Sequence, residues 1–427
     1  MTGDRAPLME TRLSFPLLLL FGTFLITTAT TGLYIYFFHA QKNYTIRVGI
    51  LHSQTGTMAI SELPVIDATI LAIDEINQAG GLLGKFIEPI VADGASDWPT
   101  FAAQAEKLIT QDKVDVIFGC WTSASRKSVK PVVEKHNHLL FYPVQYEGLE
   151  NSPNIIYTGA APNQQILPGV TWAYYNLGKK FFLVGSDYIF PRVANELIKV
   201  HSASFGGKIV GETYQPLNNP TFQKVVQEII KAQPDVIINT INGSGNISFF
   251  KELKNAGITA EKIPTMSFSI AEEELKALQS KELIGNYVTW SYFQSINRPE
   301  NTLFIEKFKK KFGQDRVVSD PLEAAYFGVH LWAQTVKNSG TSEVETIRNM
   351  VKGQGRNAPE GIVYIEPDNN HTWKMVRIGK ITPEGQFHEV WNSIKSIRPV
   401  SFPTERQNWS GLLERLYTGW NNQWSAD

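Results

Sequence analysis

From Ile46 onward the chain changes its hydrophobic period again and again, and that alternation limits the fold more than any other feature. Ile46-Arg-Val-Gly-Ile-Leu51 is an apolar run of strand length. Leu63 to Ala79 then carries Ile66, Ile70, Ile73 and Ile76 on one helical face, with Gly80-Gly81 to close it. Phe86 to Ala92 and Val114-Asp-Val-Ile-Phe118 read as strands, with a helix from Pro99 to Thr110 between them. Ser125 to His136 is the next helix and Leu139-Leu-Phe-Tyr142 the next strand. Such alternation builds a parallel sheet covered by helices on both faces.

A second run of the same kind starts near Lys180. It has strands at Phe181-Phe-Leu-Val184, Lys208 to Tyr214 and Val236-Ile-Ile-Asn239, and helices at Pro191 to Phe205, Phe222 to Gln233 and Ile247 to Ala256. The two runs share a pattern and not a sequence, so they predict two like-built lobes. Gly285 to Phe293 is an aromatic-rich strand suited to crossing back to the first lobe. Helices at Asn301 to Phe312, Leu322 to Lys337 and Thr341 to Met350 follow. A meander closes the pattern: Gly361-Ile-Val-Tyr-Ile365, Thr372 to Lys380 and Gln386 to Trp391, with Pro383-Glu-Gly385 as a turn.

At 427 residues the chain is long enough for two cores. A formal net charge of −1 lacks the basic surface that a nucleic-acid partner requires. Lys307-Phe-Lys-Lys-Lys-Phe312 reads as the solvated face and end of a helix. The single cysteine, Cys120, excludes an intrachain disulfide and a multi-cysteine metal site. Phe15 to Phe38 contains no charged residue and is longer than the ~20 residues that span a bilayer. Thr27 and Ala29 offer a cleavage site, but the apolar run resumes as Leu33-Tyr-Ile-Tyr-Phe-Phe38 and ends like an interfacial belt. An uncleaved anchor at 15–38 is therefore expected over a cleaved signal.

Two strand ends carry the candidate site, because open α/β sheets hold ligands at the C-termini of their strands. They are Gly119-Cys-Trp-Thr-Ser123 and Phe141-Tyr-Pro-Val-Gln-Tyr-Glu-Gly148. Together they offer the aromatic faces of Trp121 and Tyr142, the hydroxyls of Thr122 and Ser123, the Gln145 amide and few charges. That suits a small, neutral, polar molecule. Other motifs fail on spacing. Gly80-Gly-Leu-Leu-Gly-Lys85 is one residue short of a phosphate loop, and Gly243-Ser-Gly245 lacks the third glycine of a dinucleotide site. His136 and His138 read as surface groups on a helix end. Cys120 with Glu147 and Lys127 raises the alternative of a thiol amidohydrolase, but a cysteine ending an apolar strand reads as a small packed residue. No catalytic residue and no cofactor is expected.

Residues from about Tyr44 to about Pro399 resemble the periplasmic urea- and short-chain-amide-binding proteins of the branched-chain amino-acid receptor superfamily. The segments that carry the resemblance are His52-Ser-Gln-Thr-Gly-Thr-Met-Ala-Ile-Ser-Glu62, Gly119-Cys-Trp-Thr-Ser-Ala-Ser-Arg-Lys127 and Phe141 to Gly148. Thr158-Gly-Ala-Ala-Pro-Asn-Gln164, Gly185-Ser-Asp-Tyr-Ile-Phe-Pro-Arg192, Thr240-Ile-Asn-Gly243 and Asp320-Pro-Leu-Glu-Ala-Ala-Tyr326 add to it. The resemblance implies an α/β clamshell of the type I periplasmic-binding-protein kind, two doubly wound parallel-sheet lobes joined by three crossovers. It implies lobe 1 at 44–160 plus 294–355, lobe 2 at 161–293 plus 356–400, and a tail at 401–427. It also implies urea or a similar small amide held by Trp121, Thr122, Ser123, Tyr142 and Gln145, with Tyr188 closing from the second lobe. Val144-Gln145 has the urea-type form, and the charged set that holds an amino acid is missing from these residues. The implied partners are the permease subunits of an ABC importer at the periplasmic face of the inner membrane. The tail, with Trp409, Trp420 and Trp424, departs from the importer pattern, as does the absence of a lipidation cysteine. Together with the anchor they leave open a membrane-anchored sensor working with a kinase.

Overall fold

The computed structural model describes residues 1, 3, 45–277, 282–403 and 409–426, so the expected anchor at 15–38 lies outside the described residues. Among the described residues no helix is long and apolar enough to cross a membrane.

The first sheet has the order β2-β1-β3-β4-β5 and is parallel throughout. Its strands are β1 (Thr45–His52), β2 (Phe86–Asp93), β3 (Val116–Gly119), β4 (Leu140–Tyr142) and β5 (Ile155–Tyr157). Position in the sheet explains composition. Central β1 buries Val48 through His52, the continuous apolar run of a strand covered on both faces. Edge strand β2 exposes every other residue or more and carries Pro89, whose missing N–H an edge tolerates. Helices α1 (Ala59–Gln78), α2 (Trp98–Thr110) and α3 (Ser123–Lys135) connect these strands. Gly119 permits the close approach of β3 to β1, since a Cβ there would lie 2.2 Å from the Leu51 carbonyl oxygen.

After β5 the chain passes to the second lobe through α4 (Ile166–Asn176), which packs on β9 and β10 of the second sheet. That sheet has the order β15-β14-β10-β9-β8-β6-β7. Its parallel strands are β6 (Lys180–Ser186), β7 (Lys208–Gln215), β8 (Val236–Thr240), β9 (Thr265–Ser267) and β10 (Tyr287–Trp290). Helices α5 (Ile189–Ser204), α6 (Gln223–Ala232), α7 (Gly245–Asn255) and α8 (Glu272–Ala277) lie between them. The chain then returns to lobe 1, where α9 (Pro299–Phe312) and α10 (Asp320–Ser339) pack on α1. This basic run is the solvated face and end of α9, as expected, with Lys310 and Lys311 exposed; Lys307 and Lys311 also pair with Glu75 and Asp74 of α1, while Phe308 packs inward. Helix α11 (Val344–Met350) completes this part.

The meander divides where the sequence shows no break. Strands β11 (Gly355–Ala358), β12 (Gly361–Ile365) and β13 (Thr372–Trp373) form a small antiparallel sheet against α9 and α10, linked to β5 by the Tyr157–His371 bridge. Only β14 (Arg377–Ile381) and β15 (Phe387–Asn392) join the second sheet, antiparallel. The third crossing therefore falls at 374–376, and 356–373 sits with lobe 1 and not with lobe 2 as the sequence suggested. The alternation of Thr372 to Lys380 runs on through the crossing because Lys374 is buried there against Glu360, 3.0 Å away. A final helix, α12 (Trp409–Gly419), packs on α5.

The lobes touch. Helix α3 packs on α5 and α1 on α8; the Ser61 hydroxyl donates to Glu274 (2.7 Å) and the Gln145 amide to the Phe268 carbonyl (3.0 Å). This is a closed clamshell.

Candidate functional site between the lobes

Strand β3 ends at Gly119, and Cys120 turns the chain with φ +66°, into the left-handed region. This swings Trp121 and Thr122 onto the start of α3. The Thr122 hydroxyl accepts from the Ser125 N–H (3.0 Å), so Thr122 and not Ser123 caps the helix. Ser123 is freed from capping. Its hydroxyl donates to Glu147, and Arg126 Nη1 donates to the same oxygen (3.2 Å).

Behind Ser123 lies a fully buried charged network. Arg126 Nε donates to Glu150 (2.8 Å) and its Nη2 to Glu147 (3.4 Å), while Lys127 pairs with Glu150 (3.1 Å). The guanidinium sits over the rings of Tyr142 and Tyr146, 4.6 and 4.4 Å from their centroids. Burial pushes the Glu150 carboxyl up, but Arg126 and Lys127 outweigh it and hold the group far below its usual range. Tyr142 donates its phenol proton to the Trp121 carbonyl (2.7 Å), which fixes the aromatic wall to the β3 loop. The sequence reading of a site with few charges is corrected here: Arg126 and Glu147 touch Ser123 directly, but they are neutralised by one another and by Glu150.

A second acidic group stands on α1. Glu62 Oε2 contacts His52 Nδ1 and the Ser53 N–H, both at 2.9 Å, leaving Oε1 buried with no hydrogen-bond partner among the described residues. Burial pushes the Cys120 thiol well above its ordinary range, and the Glu62 charge pushes it further. A thiol held protonated in this way is not a nucleophile. Lys127 and Glu147, the partners a thiol hydrolase would need, are engaged with Glu150, Arg126 and Ser123 instead.

Tyr188 begins α5 at the end of β6 and is buried at the lobe interface. Its phenol is raised by burial first and then by the nearby Tyr142 and Glu147. Toward the hinge, Gln145 and Gln165 both donate to the Phe268 carbonyl, at 3.0 and 3.2 Å. The Oε1 atoms of both glutamines and the Ser269 hydroxyl are buried without partners among the described residues. All six residues singled out from the sequence are thus buried. Ser123, Tyr142 and Tyr188 share one neighbourhood, Gln145 lies on the hinge side, and the Thr122 hydroxyl serves the helix. Glu62, Arg126, Gln165 and Phe268 were missed. Glu62 and Arg126 stand inside segments that drew attention, and only the tertiary fold reveals what they face. His136 pairs with Glu106 at 2.8 Å. His138 is no surface group: it is buried on the Val114 carbonyl at 2.8 Å.

Two parallel-sheet lobes closed over buried, half-satisfied polar groups define a solute-binding protein. The chain belongs to the periplasmic binding protein domain family, whose pattern matches residues 46–408, and it binds its solute without transforming it. It is 23% identical over 285 residues to Leu/Ile/Val-binding protein homolog 6 of Brucella melitensis, covering 65% of this chain and 73% of that one. A shorter stretch of 145 residues is 32% identical to limonene hydroxylase of Geobacillus stearothermophilus, covering 32% of this chain and 26% of that protein. Its fold matches an ABC-transporter solute-binding protein from Rhodopseudomonas palustris BisB5 in complex with 3,4-dihydroxybenzoic acid. The TM-score there is 0.74 at 23% identity, over 83% of this chain and 98% of that one. A leucine-binding protein of Thermotoga maritima gives a TM-score of 0.72 at 18% identity, over 81% and 98% of the two chains.

Proposed function

We propose that this protein captures urea or a similar small neutral amide between its lobes and delivers it to an ABC importer. The observation that carries this reading is the set of orphaned acceptors. Among the described residues Glu62 Oε1, Gln145 Oε1 and Gln165 Oε1 are buried without a donor, and each such atom costs about 1–3 kcal/mol until one arrives. A planar molecule with four N–H donors answers that demand. Ser123 adds to it: with its proton committed to Glu147, its oxygen offers a further acceptor. Trp121 and Tyr142 supply flat faces, and Tyr188 closes from the second lobe.

The same electrostatics disfavour the acids bound by the structural relatives. Arg126 and Lys127 are already spoken for by Glu147 and Glu150, and Glu62 adds a third carboxylate nearby. A benzoate or an amino-acid carboxylate would meet no free cation there among the described residues. Calorimetric titration with urea, acetamide, leucine and 4-hydroxybenzoate tests the reading. Urea is expected to bind at least about tenfold tighter than leucine, one unmade buried polar contact being enough for that ratio. Leucine or hydroxybenzoate binding as tightly as urea sinks it.

A further inference from the structure

We infer that residues 409–426 form a strap that holds the clamshell shut at the mouth opposite the hinge. The three crossings lie beside β5, β10 and β14, whereas β2 in lobe 1 and β6 and β7 in lobe 2 mark the far side of the cleft. The tail ends on that far side and touches both lobes. On lobe 1, the indole N–H of Trp98, the first residue of α2, donates to the Ser425 hydroxyl (2.8 Å), and Lys127 Nζ lies 4.8 Å from the Trp424 ring centroid. On lobe 2, the Ile189 N–H donates to the Trp424 carbonyl and the Ala426 N–H to the Asp187 carbonyl, both at 3.0 Å, so the tail pairs with the backbone on either side of Tyr188.

The sequence of the tail fits this task. Trp409 and Leu412 of α12 are buried, and α12 packs on α5 of the second lobe. Trp424 packs on Tyr417, with ring centroids 4.5 Å apart, which folds the last residues back toward the cleft. Gln423 helps to line a cavity of about 490 Å³ at the mouth, together with Thr57 and Trp98 of lobe 1 and Leu217 and Asn218 of lobe 2. A lobe rotating open about the hinge must move Trp98 away from Tyr188, and the strap spans that gap. Solute entry and release therefore require the strap to let go of one lobe. Lobe 1 is the one it leaves, because the tail's backbone hydrogen bonds go to lobe 2, whereas Trp98 and Lys127 of lobe 1 meet it through side chains.

The strap rests on the two-lobed closure and not on the identity of the solute, so its first test needs none. Small-angle scattering of the chain ending at Pro403 and of full-length Trp98→Phe, without solute, is expected to show a larger radius of gyration than the wild type. Trp98→Phe keeps the ring and loses only the donor, so it stays informative if the shortened chain does not fold. With urea added, dissociation should be about tenfold faster in both variants, the cost of one or two hydrogen bonds. Wild-type compaction and wild-type release in Trp98→Phe would overturn the strap. A wild type that never binds urea, with the scattering difference intact, would overturn the proposed solute and leave the strap standing.

Discussion

On the first-lobe wall of the cleft, Arg126, Lys127, Glu147 and Glu150 are buried together behind Ser123 and Tyr142. On the second-lobe side, Tyr188, Asn239, Asn242 and Ser269 are the buried groups. In the first, each charge is held by an opposite charge and by hydrogen bonds. In the second, the asparagines are held by neutral groups, Asn239 Nδ2 donating to Asn246 and Ser267 at 3.0 and 3.1 Å and Asn242 Nδ2 to the Thr240 carbonyl at 3.2 Å, while the Ser269 hydroxyl has no partner among the described residues. Buried ions are costly unless every partner is present, so the first wall has one stable arrangement and is set before solute arrives. A neutral wall loses less when it separates from the solute and meets water. The lobe that recognises is thus stiff, and the lobe that closes is cheap to expose.

The largest expected effect follows from removing one ion from the stiff wall. Arg126→Met leaves Glu147 and Glu150 buried without their main partner and should lower unfolding stability by about 3–5 kcal/mol. Asn239→Ala in the neutral wall should cost about 1–3 kcal/mol. Denaturant unfolding of both variants checks the contrast, and equal losses would erase it.

Acid should find the first lobe too. His371 is stacked on Tyr157, with centroids 4.0 Å apart, and its Nδ1 faces the Asn369 carbonyl at 2.6 Å while Nε2 meets the Tyr146 hydroxyl at 2.5 Å. Burial lowers this imidazole from 6.5 to about 4. The unfolded chain therefore binds the extra proton first: the stability due to neutral His371 is complete above pH 6.5 and is lost as pH falls toward about 4. The loss is about 3 kcal/mol for a shift of this size. His371→Gln should flatten the stability curve across that window, and an unchanged slope would place the acid limb elsewhere.

How much of this was legible beforehand depends on the range of the interaction. The alternation of period gave both sheets and most helices, because burial on a strand or a helix face is a local pattern. Helix α4 was missed because Pro168 and Gly169 look like breakers. Pro168 falls in the first turn, where its N–H has no helical partner, and Gly169 lies so close to the sheet that a Cβ would come within 2.5 Å of the Thr289 hydroxyl. The site was half legible. The strand ends named Ser123, Tyr142 and Gln145, whereas Glu62 lies 61 residues before Ser123 and nothing local says that it faces the same cleft. Charge was misjudged for a related reason: Arg126 and Glu147 are 21 residues apart, and their pairing exists only in three dimensions.

Closure offers a sharper test of the division between walls. Tyr188→Ala removes an aromatic side chain that is buried on the closing lobe and should weaken urea binding by about tenfold or more, from the lost burial alone. It should also reduce the solute-induced compaction seen by scattering, because contacts made only in the closed form drive closure by their differential free energy. Wild-type affinity with wild-type compaction would take Tyr188 out of the site.

The smallest effect is the most specific. Ser123 receives a proton from Arg126 and gives its own to Glu147, so toward the cleft it can only accept. Ser123→Ala removes that one acceptor, while Arg126 and Glu147 keep each other, 3.4 Å apart. Affinity for urea should fall by on the order of 1–2 kcal/mol, the net worth of one hydrogen bond in a dry site, and unfolding stability by about 1–3 kcal/mol, because Glu147 Oε2 and Arg126 Nη1 lose this partner. The fall in affinity, measured on the folded protein, is what separates recognition from scaffolding on the stiff wall. A Ser123→Ala protein that binds urea like the wild type but unfolds more easily would assign Ser123 to the network behind the site alone.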